Sequence, residues 1–133
     1  MKKILFILIA VITLKVAPAQ TPSSSLAGTW KFQDLKAEYP QNMQGKKLAD
    51  AQKDVQSDIK KFKKNFPFTF TEDGHCTIGT HHGTWQMSED GKTVTYTNEK
   101  KQKETAAILQ LTEHQLIFSR VDDDITQTFT LTR

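Results

Sequence analysis

The chain has 133 residues, of which 37% are hydrophobic and 25% charged, with a formal net charge of +3 and a single cysteine. Lys2, Lys3 and Lys15 carry the whole positive excess, and all three lie in a segment that reads as a removable address, so basic and acidic residues balance in the remainder. Electrostatics therefore make no case for a nucleic-acid partner, and the lone Cys76 excludes an internal disulfide.

The address is Met1 to Ala19. Lys2 and Lys3 precede an apolar run from Ile4 to Leu14, and Ala17-Pro18-Ala19 has the small-x-small form of a signal-peptidase site, so processing is expected to leave Gln20 as the first residue. The apolar run falls well short of the roughly twenty residues that span a bilayer, and Lys15 interrupts it, so stable membrane insertion is not expected. No cysteine stands near the cleavage site to accept a lipid. Gln20 to Ser25 reads as a flexible leader. From Leu26 to Arg133 the chain is long enough for one core and too short for two, so a single domain is expected over 26–133.

A first strand is predicted from Leu26 to Asp34. Next comes the only helical pattern: Leu48, Val55 and Phe62 recur every seventh residue with Ile59 and Phe66 offset by four, which predicts an amphipathic helix over about Lys47–Lys64, ended ahead of Pro67. From Phe66 the period changes to two. Strands are predicted over Phe66–Thr71, His75–Thr80, Thr84–Ser88, Thr93–Thr97, Glu104–Leu111, Gln115–Val121 and Ile125–Thr132. His81-His82-Gly83 reads as a loop, and Asp73-Gly74 and Asp90-Gly91 as tight turns where glycine admits positive φ. Links this short make neighbouring strands antiparallel. With the first strand there are eight, an even number that lets the first and last pair and close the sheet without open edges. Phe68, Phe70, Cys76, Tyr96, Phe118, Phe129 and Leu131 share the inward parity with Trp30, while threonines dominate the outward one.

Leu26-Ala27-Gly28-Thr29-Trp30-Lys31-Phe32 resembles the G-x-W signature that opens the first strand of lipocalins. The hairpins Phe70 to Gly74 and Gly83 to Val94 resemble those of small secreted bacterial lipocalin-like domains. The resemblance covers most of the chain beyond the address. It implies an all-β, eight-stranded, up-and-down barrel that binds a small apolar or amphipathic ligand. It also implies a structural set of Gly28, Trp30 and an arginine packed across the tryptophan, a role that Arg133 can fill. The chain is shorter than a typical lipocalin and places its helix after the first strand, a position like that of the portal helices of fatty-acid-binding proteins.

The residues offer little catalytic chemistry. Ser57, Ser88 and Ser119 lie outside any G-x-S-x-G elbow. His75 and Cys76 are strand neighbours that point to opposite faces. No enzyme activity and no cofactor are expected. His75, His81, His82 and Asp122 to Asp124 lack the converging geometry of a zinc site, so no metal is expected either. Arg120 has the parity of Leu116 and Phe118 and faces the expected barrel mouth, where it can anchor a carboxylate. The candidate ligand-binding set is Arg120, Tyr96, Phe118, Phe68 and Trp85, with Ala106, Ala107, Cys76, Gly79 and Thr80 small enough to leave space. The function expected is non-enzymatic binding by a secreted monomer, periplasmic or extracellular. The alternative is a scaffold with a side-chain-filled barrel that recognises a partner through loops such as Asn98–Lys103.

Overall fold

The computed structural model describes residues 26–133, and the expected address and leader lie outside the described residues. The strands are β1 (Gly28–Glu38), β2 (Phe68–Phe70), β3 (His75–Ile78), β4 (His81–Met87), β5 (Thr93–Asn98), β6 (Lys103–Leu111), β7 (Gln115–Asp122) and β8 (Ile125–Thr132), and one helix, α1 (Gly45–Phe62), lies between β1 and β2. The strands pair in chain order, all antiparallel, and β8 returns to β1 to close the barrel. Lys31 faces Thr132, Leu35 faces Phe129 and Glu38 faces Thr126 across that seam. The expected all-β, eight-stranded up-and-down barrel with a helix after its first strand is the fold observed.

Several boundaries differ from the reading above, three of them with a structural reason. The first strand starts at Gly28 and continues past Asp34 to Glu38. An irregularity between Phe32 and Asp34 shifts the register, which returns Leu35 to the interior and lets the strand run on against β8. His81-His82-Gly83 is not a loop. It opens β4, where His82 faces Thr77 and Gly83 faces both Cys76 and Asn98, and the turn before it is Gly79-Thr80, with Gly79 at φ 64°. A side-chain carbon at Gly83 would overlap the carbonyl oxygen of Thr97 and the Tyr96 ring, so glycine here serves close strand approach. β2 begins only at Phe68, because Pro67 has no N–H to give to a ladder.

Inside the barrel the two ends are closed differently. At one end Leu26, Trp30, Leu116 and Leu131 are almost completely buried, with Phe68, Phe70 and Cys76 packed beside them. At the other, α1 lays Val55, Ile59 and Phe62 against Leu35, Phe32 and Phe129. The Phe62 ring sits 5.3 Å from Phe32, 4.8 Å from Phe66 and 5.6 Å from Phe129, separations at which tilted and edge-on ring pairs attract. Lys60 and Lys61 in the last turn of α1 complement the negative end of the helix dipole. Burying each large apolar side chain contributes about 1.5–3 kcal/mol, so the helix end and the tryptophan end together hold most of the stabilising surface.

Candidate ligand site

Between the two closed ends lies a cavity of about 120 Å³. Its wall is formed by Phe68 and Phe70 of β2, Ile78 of β3, Val94 and Tyr96 of β5, Ala106 of β6, Leu116 and Phe118 of β7, Phe129 of β8, Leu26 and the helix residue Phe62. Glu104, Thr105 and Arg120 supply the polar part of the lining. The aromatic rings arise from the inward parity of the strands, and the space arises where that parity delivers only alanine, at position 106.

Arg120 is held in place by several contacts. Its Nε donates to Oε1 of Gln127 at 3.0 Å, its Nη1 donates to Oε1 of Glu104 at 3.1 Å, and its guanidinium carbon lies 5.4 Å from the centre of the Phe129 ring. Gln127 is the one polar residue among the buried residues described, at 4% exposure, and a buried amide is retained at low cost only when it is bonded. The Arg120 side chain is 29% exposed and that of Glu104 63%. An ion pair with one wet partner contributes little, about 1 kcal/mol or less. Burial raises the Tyr96 hydroxyl above its usual pKa, and the nearby Cys76, Glu104 and Glu99 push it the same way.

Of the candidate residues, Arg120, Tyr96, Phe118 and Phe68 line the cavity, and Trp85 does not. The Trp85 indole Nε1 donates to the carbonyl oxygen of Thr71 at 2.9 Å and its ring meets Phe70 edge-on at 5.9 Å, which ties it to the β2–β3 turn. Among the small residues expected to leave space, Ala106 lines the cavity, while Ala107, Cys76, Gly79 and Thr80 do not. Cys76 is packed into the core, and a Phe66 ring fills the volume above Gly79. Four lining residues escaped the sequence reading: Glu104, Thr105, Leu26 and Phe62. Glu104 had a usable signal, since it shares parity with the inward Ala106. Phe62 ends the apolar stripe of α1 and so was bound to reach the barrel.

The structural set meets at the opposite end. The Arg133 guanidinium carbon stands 4.0 Å from the centre of the Trp30 ring, its Nη1 donates to the carbonyl oxygen of Ala27 at 2.6 Å, and its Nε donates to that of Glu113 at 2.7 Å. The Trp30 indole donates to the carbonyl oxygen of Leu26 at 2.9 Å. Gly28, at φ 138°, leaves room for this arginine, since a side-chain carbon there would stand 2.5 Å from Nη1.

The remaining reactive groups are separate from one another. Burial raises the Cys76 thiol to about 11, so it carries little thiolate at neutral pH. His75 is exposed and its Nδ1 lies 3.2 Å from the Asp73 carboxylate. That carboxylate is held below its usual pKa, first by the Thr71 hydroxyl and then by His75. His82 contacts the Thr77 hydroxyl at 3.2 Å. Among the described residues no group of three or more His, Cys, Asp or Glu side chains can hold a metal ion, and no helix is long and apolar enough to cross a membrane.

No curated protein matches the sequence. Residues 26–118 match the family of lipocalin-like domains, a stretch that takes in β1 to β6, the helix and the first half of β7. That match covers well over half of the chain and coincides with a sheet closed in chain order around an interior cavity. The chain therefore belongs to the lipocalin-like domain family.

Proposed function

We propose that this protein is a secreted, monomeric, non-catalytic binding protein that holds a small apolar or amphipathic molecule inside its barrel. The observation that carries the reading is the cavity itself. It is lined mostly by aromatic and aliphatic side chains and touched by only a few polar ones, the composition of a ligand pocket. Secretion is supported by the charged start, apolar run and small-residue cleavage pattern of residues 1–19. A non-catalytic role is supported by the burial of Cys76 and the exposure of His75 beside it.

Binding of a fluorescent apolar probe tests the reading. One probe per chain is expected, and Ala106→Phe, which fills the cavity from its least bulky wall, is expected to abolish binding while the barrel still melts cooperatively. Probe binding that survives Ala106→Phe contradicts an interior site. The mass of the protein recovered from outside the cytoplasm tests secretion: a chain beginning at Gln20 is expected, and an unprocessed chain kept in the cell refutes it.

One observation favours a second reading. The cavity is smaller than the roughly 300–1,000 Å³ of most drug-sized ligand sites, as expected of a barrel that serves chiefly as a rigid scaffold for its loops. Loss of probe binding on loop substitutions within Glu99–Gln102, with Ala106→Phe silent, is the outcome that reading predicts.

A further inference from the structure

We infer that the barrel interior selects a compact monocarboxylate, a single ring or short alkyl chain bearing one carboxylate, and that Glu104 is a built-in competitor which the ligand displaces from Arg120. This rests on the interior being the binding site. Size comes first. A cavity of about 150 Å³ is known to accept benzene, so one of about 120 Å³ that opens to solvent holds one ring or a few methylenes within its walls and leaves most of a long acyl chain in water.

Charge comes second. The lining carries one cation and one anion, and its other polar groups are the hydroxyls of Thr105 and Tyr96. The cation is fixed, since Gln127 and the Phe129 ring hold Arg120 in position. The anion is not fixed in the same way. Glu104 is mostly in water, and among the described residues its carboxylate has no hydrogen bond besides that from Arg120. Arg120 Nη2 has no hydrogen-bond partner among the described residues. A guanidinium with one edge occupied by a solvent-exposed carboxylate and further donors unused is suited to exchange that carboxylate for another in a bidentate grip. Glu104 then moves into solvent at little cost, while the ligand's apolar part enters the space beside Phe118 and Phe129. Without a ligand, Glu104 neutralises the mouth and spares Arg120 an unpaired charge in a partly buried setting.

Titration of the purified protein with benzoate, benzyl alcohol and palmitate, followed by calorimetry, tests this. Benzoate is expected to bind more tightly than benzyl alcohol, and palmitate weakly or not at all. Arg120→Gln is expected to weaken benzoate roughly tenfold or more and to leave benzyl alcohol within about twofold. Glu104→Gln is expected to tighten benzoate about threefold to fivefold, the size of a lost surface ion pair. Because residue 104 is exposed, this variant keeps the fold and decides the matter even if Arg120→Gln destabilises the barrel. Unchanged or weaker benzoate binding in Glu104→Gln overturns the competitor role. Palmitate binding as tight as benzoate overturns the size limit. Benzyl alcohol binding in the cavity without benzoate overturns the anion selection alone, whereas failure of both small probes overturns interior binding as well.

Discussion

β8 and β5 belong to the same closed sheet but differ in how they bury side chains. Along β8 burial alternates without a break: Ile125, Gln127, Phe129 and Leu131 are inside and the threonines between them are not. Along β5 every residue from Thr93 to Asn98 is half-buried on either face. The difference follows from what stands opposite. β8 looks onto Leu35, Phe32 and the helix, and of its inward side chains only Phe129 borders the cavity. Val94 and Tyr96 of β5 look onto the cavity, and their partners on β6 are the small Ala106 and the largely exposed Glu104. One wall of the barrel is packed for stability, and the other is built around space. A small barrel thus separates the two demands by strand, and its binding side is drawn from the less densely packed part.

The largest effect that can break this comparison is at the packed end. Trp30→Ala is expected to cost about 3–5 kcal/mol, measured by urea unfolding, because Trp30 has no exposed surface. A loss below about 1 kcal/mol would mean that the end near Trp30 does not hold the barrel. Matched truncations sharpen the point. Leu131→Ala on β8 is expected to cost about 2–5 kcal/mol, and Val94→Ala on β5 about 1 kcal/mol or less, because the removed methyls already border space. Equal costs would erase the distinction between the walls. Arg133→Ala is expected to cost about 0.5–2 kcal/mol, through the lost stack on Trp30, and to leave the cavity's ligand affinity unchanged.

Smaller effects follow from single groups. The Cys76 thiol has a folded pKa of about 11, raised by burial from an ordinary value of 9.0. The stabilisation that comes from keeping it neutral is complete below pH 9.0 and is lost as pH rises toward about 11. Cys76→Ala is therefore expected to flatten the fall in melting temperature across that window, and an unchanged slope contradicts burial of the thiol. The smallest effect is at the β7–β8 turn. Asp123 and Asp124 both have positive φ, 56° and 66°, as a two-residue hairpin turn requires. Asp124→Gly is expected to raise stability by about 0.5–1 kcal/mol; a fall would mean that the aspartate side chain contributes a contact of its own.

Strand number and closure were legible because each rests on a local rule, alternation and short turns, whereas the place of Arg133 over Trp30 came from the resemblance to lipocalins. β8 was read to its last residue, since its threonines mark the outward face without interruption. What escaped depends on partners distant in sequence. The irregularity after Phe32 inverts the parity of β1, and no local residue type announces it. Gly83 looked like a loop residue because it follows two histidines, yet it is a glycine that lets β4 approach Thr97 and Tyr96. Trp85 has inward parity but is drawn to Thr71 by its own N–H. Arg120 was legible as an inward residue, and it lines the cavity, whereas its partners Gln127 and Glu104 come from two other strands and are joined to it only by the register of the barrel.

The most direct test of the division between a packed wall and an open one is a map of backbone amide shifts by NMR as benzyl alcohol is added. Shifts confined to Val94, Tyr96, Ala106, Phe118 and their strand neighbours, with Trp30 and Leu131 still, are the predicted result. Shifts spread over the outer loops, or none at saturating alcohol, would contradict a binding site inside this barrel.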